Sequence, residues 1–203
     1  IRLSLVGSEM CIRDRSGSNG LTPYLGIYGD ELDYYGVNVD QAQLFQNDVQ
    51  PGNAIITEWW NQAYHLIYGA NDILKGVAGS DALNRDDKKR LRAQALFVRA
   101  YAHSLLESVF GDVPYITSTD YLDNNRVSRT PKEEVQGLII ADLMEAMEDL
   151  EGFEHSSPQK VLPDQNTVKA LLARRYLYAE NWELAASLAT ELINTFPLED
   201  NLD

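Results

Sequence analysis

The chain has 203 residues, 44% of them hydrophobic and 24% charged, enough to build a globular unit with a real core, and it contains no apolar run of transmembrane length. Its 31 acidic residues against 17 basic ones leave a net charge of −14, the wrong sign for a nucleic-acid surface, which has to neutralise phosphates. A single cysteine, Cys11, excludes an internal disulfide framework.

Residues 1–15, IRLSLVGSEMCIRDR, resemble a translated cloning or adapter sequence, and the Ser/Gly/Asn run at 16–20 reads as a breaker. The expected division is therefore a non-native segment with its linker at 1–20 and one domain at 21–203. Residues 21–52 are rich in Gly, Asn, Asp, Gln and Tyr with little helical period. They predict a long, loop-rich surface segment of the kind that commonly carries function. Tyr24, Tyr28, Tyr34 and Tyr35 have two readings there: flat apolar rings with polar tips that stack on a sugar face, or plugs that pin the loop to helices beneath it. Asp30, Glu31 and Asp33 are the acidic cluster from which a glycosidase pair or a calcium site would have to come. A cluster of this kind in a polar loop is more often solvated.

Ile56, Trp59, Ala63, Leu66, Ile67, Ala70, Ile73, Leu74 and Val77 predict an amphipathic helix over 54–77. Trp59 and Trp60 stand on adjacent helical positions and cannot face one way; the first is expected in the core, the second at a helix seam. A polar stretch at 84–87 then leads into a central helix, making an antiparallel hairpin. In residues 91–114, LRAQALFVRAYAHSLLESVFGDVP, Leu91, Ala95, Val98, Ala102, Leu105 and Val109 form one helical face. Ala93, Leu96, Phe97, Ala100, Tyr101 and Phe110 form a second, leaving only a narrow polar strip of Arg92, Arg99, His103 and Glu107. A helix apolar on two sides belongs inside a stack. Gly111 and Pro114 end it.

Residues 115–117 predict a short extended piece and 118–129 a polar loop. Thr130, Pro131 and Glu133 predict a capped helix start, with Thr130 as the cap. Val135, Leu138, Ile139, Leu143, Ala146, Met147 and Leu150 carry that helix, and Asp142 is the one polar intrusion on its apolar face. The acidic run from Asp142 to Glu154 and the basic run at 85–92 are both expected as solvated faces. After a loop at 151–166, Leu172, Ala173, Tyr176, Ala185 and Pro197 fall at tetratricopeptide spacing, with the turn at 181–183 and with Tyr176 and Trp182 filling the space around the alanines. One such repeat cannot close its own core, so the expected fold class is all-α: tetratricopeptide-like stacked helical hairpins with a long loop-rich amino-terminal segment.

The central block RAQALFVRAYAHSLLESVFGDVP resembles the signature of the SusD/RagB family of nutrient-binding outer-membrane lipoproteins. The resemblance extends to Asp30-Glu31-Leu32, to 60–64 and 70–74, to Arg129-Thr130-Pro131 leading into Asp142-Leu143, and to 170–173 with Asn181-Trp182. Gln94 departs from the family's usual glutamate, and Asp164-Gln165-Asn166 departs from an approach that ordinarily bears glycine and arginine. The resemblance implies a non-catalytic protein without cofactor that binds a nutrient, a glycan or a peptide. It would be lipid-anchored on the extracellular face of the outer membrane, as a lid on a SusC-like TonB-dependent transporter barrel. Members of the family are much longer, so the chain is expected to be the amino-terminal helical part of one. Within it, Tyr28, Tyr34 and Tyr35 are the candidate stacking residues and Asn38 the candidate hydrogen-bonding residue. The alternative is a general tetratricopeptide-like scaffold for a protein partner, and a third possibility is a glycoside hydrolase fragment using Asp30 or Glu31. His65, His103 and His155 show no metal-ligand spacing, and there is no phosphate loop or nucleophile elbow.

Overall fold

A computed structural model describes residues 21–153 and 162–196, so the expectations resting on residues 1–20, His155 and Pro197 lie outside the described residues. Eight helices are found among the described residues: α1 (Leu21–Tyr28), α2 (Val39–Phe45), α3 (Ala54–Ala78), α4 (Arg85–Phe110), α5 (Tyr121–Asn124), α6 (Lys132–Asp149), α7 (Gln165–Tyr178) and α8 (Trp182–Thr195). The only β-pairing among these residues is an isolated antiparallel bridge between Val113 and Thr130. The fold class is all-α, as expected, and the chain divides into two compact units, Ile1–Leu66 and Ile67–Asp203.

In the first unit α1 packs on α2 around Tyr24, Ile27 and Leu44, with Tyr34, Val49, Ile55, Ile56 and Trp59 against that cluster. The segment 21–52 is thus loop-rich but carries two short helices. Eight and seven residues give too few turns for an apolar period to register in the sequence. Buried Asn53 joins this unit to the start of α3: its amide donates to Asp40 O (3.1 Å) and Gln43 Oε1 (2.8 Å), while its Oδ1 accepts from Ile55 N (3.1 Å) and Ile56 N (3.3 Å). Trp59, half-buried, packs against the core cluster with its ring centroid 6.0 Å from Tyr24, and Trp60 lies 4.9 Å from Tyr64.

In the second unit α4 packs on α6, α6 on α7 and α7 on α8. Helix α4 is buried without interruption from Ala93 to Ala100, the wrapping that its two apolar faces predict. It begins at Arg85, earlier than its apolar period indicates, because Asn84 caps it by accepting from Asp87 N (2.8 Å) and charged residues fill the first turns. At the other end Gly111 (φ +71°) donates its N–H to Glu107 O, a conformation open to glycine but strained for other residues. The polar loop at 118–129 contains the single turn α5, capped by Asp120.

Two expectations are corrected. Thr130 does not cap α6: its N–H bonds to Val113 O (3.1 Å), and the helix start is served instead by Asp112, whose Oδ1 accepts from Lys132 N (2.9 Å). Trp182 does not fill the α7/α8 hairpin. It is 61% exposed at the first position of α8, beside the cap residue Asn181, while buried Ala185 gives the close helix approach.

Candidate functional site

The four residues proposed for ligand contact fall in the first unit, and the structure gives them different surroundings. The half-buried ring of Tyr34 rests on the Tyr24–Ile27–Leu44 cluster. Its hydroxyl accepts from Asn38 N (2.7 Å) and donates to Asn38 O (3.3 Å), closing the 34–38 loop. A Cβ on Gly36 would lie 2.4 Å from that hydroxyl and 2.6 Å from Cζ, so the loop needs glycine there for close approach. Asn38 caps α2, its Oδ1 accepting from Gln41 N (3.1 Å). Tyr34 and Asn38 are therefore brought together, each with polar atoms committed to the loop.

Tyr28 and Tyr35 are different. They are 47% and 90% exposed, at the end of α1 and beside Tyr34. Tyr35 donates its hydroxyl to Asp33 Oδ2 (3.1 Å), which leaves both faces of its ring open to solvent. Val37 and Val39, exposed at 100% and 69%, add apolar surface to the same loop that sequence reasoning passed over, because two isolated valines carry no motif. Asp30, Glu31 and Asp33 are all exposed.

The second unit contains a buried polar network of a kind that also marks functional sites, so its chemistry bears on what the chain can do. Beyond Arg92, the polar strip of α4 does not face solvent. Arg99 binds Asp142 of α6 in a two-point pair, Nε to Oδ2 and Nη2 to Oδ1, each 2.7 Å, and its Nη1 donates to Asn71 Oδ1 of α3 (2.9 Å). Asp142 Oδ2 also accepts from the Tyr115 hydroxyl (2.7 Å), and Asn71 Nδ2 donates to Ile116 O (3.0 Å). Asp142 is thus no solvated acid, correcting the expectation for that end of the acidic run. Burial works to lower the Arg99 pKa, but the hydrogen bond and charge of Asp142 outweigh it and hold the guanidinium above its ordinary value. Burial, reinforced by the Asp142 charge, pushes the Tyr115 phenol well above its usual range, so it remains a donor.

His103 completes this latch. Its Nδ1 lies 2.9 Å from Arg99 O and its Nε2 accepts from Ile116 N (3.2 Å), an arrangement that requires the neutral ring protonated at Nδ1. Burial lowers its pKa to about 4, so the ring is neutral at pH 7. Tyr115 stacks on it with centroids 3.9 Å apart. Three helices, α3, α4 and α6, thus fix the short segment after Gly111. With Asp142 engaged by three donors and both His103 nitrogens bonded, neither group is free for proton transfer.

One turn further along α4, buried Glu107 pairs with buried Arg175 of α7 (2.8 Å) and receives Lys132 of α6 at 3.5 Å. Gln136 Nε2 donates to Arg175 O (3.3 Å), and the Arg175 guanidinium lies 5.4 Å from the Tyr178 ring centroid. At the other end of the strip, half-exposed Arg92 bridges Glu145 and Asp149 of α6. The signal for the inner pairs was present in the sequence as the α4 polar strip and the lone Asp142; which residue meets which depended on tertiary packing.

The SusD-like family model described as "Starch-binding associating with outer membrane" matches residues 28–177. SusD-like protein P2 of Formosa agariphila is 36% identical over 180 residues, covering 86% of this chain and 34% of that protein. A SusD superfamily protein from Parabacteroides distasonis superposes with a TM-score of 0.79 at 26% identity, over 96% of this chain and 44% of its own. A laminarin-binding SusD-like protein superposes at 0.78 and 23% identity, over 94% and 42%, and so attests the fold. The chain spans about a third of the length of the curated relative P2.

Proposed function

Since this chain belongs to the SusD-like family whose model it matches, we propose that it supplies the helical-repeat region of a non-catalytic glycan-capture protein. The whole protein sits on the extracellular face of the outer membrane by a lipid anchor and works as a lid on a SusC-like TonB-dependent barrel. The observation that carries this is a pair of exposed rings, Tyr28 at the end of α1 and Tyr35 on a loop whose shape is fixed from inside by Tyr34 and Asn38. An exposed aromatic plane held by a stiff loop suits a sugar face, because little side-chain freedom is lost on binding. In this reading Tyr28 and Tyr35 touch the ligand, and Tyr34 with Asn38 sets the position of Tyr35. The general protein-scaffold alternative is set aside, since the family description and the laminarin-binding neighbour both concern carbohydrate.

Titration calorimetry of the chain against starch-derived and laminarin-derived oligosaccharides is the test, paired with detergent extraction of cells grown on the bound glycan. Saturable oligosaccharide binding together with co-purification of a transporter barrel is the expected result. Neither binding nor co-purification would overturn the proposal.

A further inference from the structure

A cleft of about 480 Å3 opens in the second unit where the end of α3, the start of α4 and the end of α6 meet. Its apolar wall comes from Leu74 and Val77 of α3 and Leu96 of α4. Arg85, Lys88, Lys89 and Arg92 also line it, on successive turns of one α4 face. Arg92 is neutralised by Glu145 and Asp149, and Arg99, deeper in, is committed to Asp142. The side chains of Arg85, Lys88 and Lys89 form no hydrogen bond or ion pair among the described residues. Lys88 and Lys89 are nonetheless half-buried.

This arrangement costs stability as it stands. Arg85 and Lys89, and Lys88 and Arg92, are like charges four residues apart, and the cations sit at the helix end whose macrodipole already repels them. The nearby carboxylate of Asp87 does not relieve them, being bonded to Arg90 and Asn84. Glu145 and Asp149 also line the cleft, sharing Arg92, but in a chain of net charge −14 the three cations without an ion pair still leave a local excess of positive charge there. An apolar wall facing a cationic rim fits a small ring that carries an anionic group.

We infer that this cleft is a binding site for an acidic saccharide, taking its carboxylate or sulfate ester on Lys88, Lys89 and Arg85 and its apolar ring face on Leu74, Val77 and Leu96. The inference rests on the glycan-capture reading for its saccharide and on the cleft alone for its anion. It gives the basic run at 85–92, expected as a solvated face, a proposed role as well.

The test is titration calorimetry of the chain and of a Lys88→Gln/Lys89→Gln variant with three probes: a uronate-containing oligosaccharide, its neutral counterpart and inorganic sulfate. Glutamine matches lysine in helix propensity, and circular dichroism confirms that the variant is folded. The expected result is a preference of about tenfold or more for the acidic over the neutral sugar, the scale of one charge-assisted hydrogen bond. That preference should shrink as salt rises and disappear in the variant. Equal affinity for the two sugars, or a preference kept by the variant, overturns the inference while leaving glycan capture standing. If no sugar binds, sulfate decides: saturable sulfate binding lost in the variant supports the anion site and counts against glycan capture, whereas no sulfate binding overturns the site.

Discussion

Polar side chains hold both units together, but over different distances along the chain. In the amino-terminal unit the bonds that shape the 33–41 loop are local: Tyr35 to Asp33 is two residues, Asn38 to Gln41 three and Tyr34 to Asn38 four. In the second unit the buried pairs reach far, 43 residues from Arg99 to Asp142 and 68 from Glu107 to Arg175. Local bonds shape a loop without tying it to distant helices, and most of those atoms remain at the surface. Distant buried pairs fix the register of one helix on another, since each leaves a desolvated charge behind if its partner moves. The proposed function places recognition in the first kind of region, and the buried pairs place rigidity in the second.

The largest blow to the rigid region is Asp142→Ala, which strands Arg99 and removes the acceptor for Tyr115. It should cost about 3–5 kcal/mol, enough to threaten folding, as read from urea unfolding. A smaller loss of about 3 kcal/mol should come from acid alone. His103 has a folded pKa of about 4 against an ordinary 6.5, so the unfolded chain takes up its proton first as pH falls. This contribution is fully present above about pH 6.5 and lost progressively down to about pH 4. An NMR titration of the ring should show a midpoint near 4, and a midpoint near 6.5 would mean that the latch is open. In the loop, Gly36→Ala forces Tyr34 to shift and should cost about 1–3 kcal/mol by thermal melting. Tyr35→Ala should change stability by no more than about 0.5 kcal/mol, because the residue packs against nothing.

Much of this contrast was legible in the sequence. The long helices, the wrapped α4, its Gly111 stop and the last hairpin all follow from apolar period and spacing, and the resemblance of the central block led to the family that the comparisons found. What escaped was tertiary. Asp112 caps a helix that begins 20 residues later, so Thr130, the local candidate, was the natural but mistaken choice. The strip of Arg99, His103 and Glu107 was visible, but not its burial, because a charge can be buried only when its partner is known. In the loop, composition marked the tyrosines as a group; only the fold separated Tyr34, turned inward, from Tyr28 and Tyr35, turned out.

The central claim is that recognition and rigidity are carried by separate residues, and a Tyr28→Ala/Tyr35→Ala double variant tests it most directly. Its affinity for starch-derived and laminarin-derived oligosaccharides and its urea midpoint would be measured on the same preparation. The account predicts binding weakened by about tenfold or more, the scale of losing ring stacking, with the midpoint unchanged. Unchanged binding, or binding and stability falling together, would contradict it.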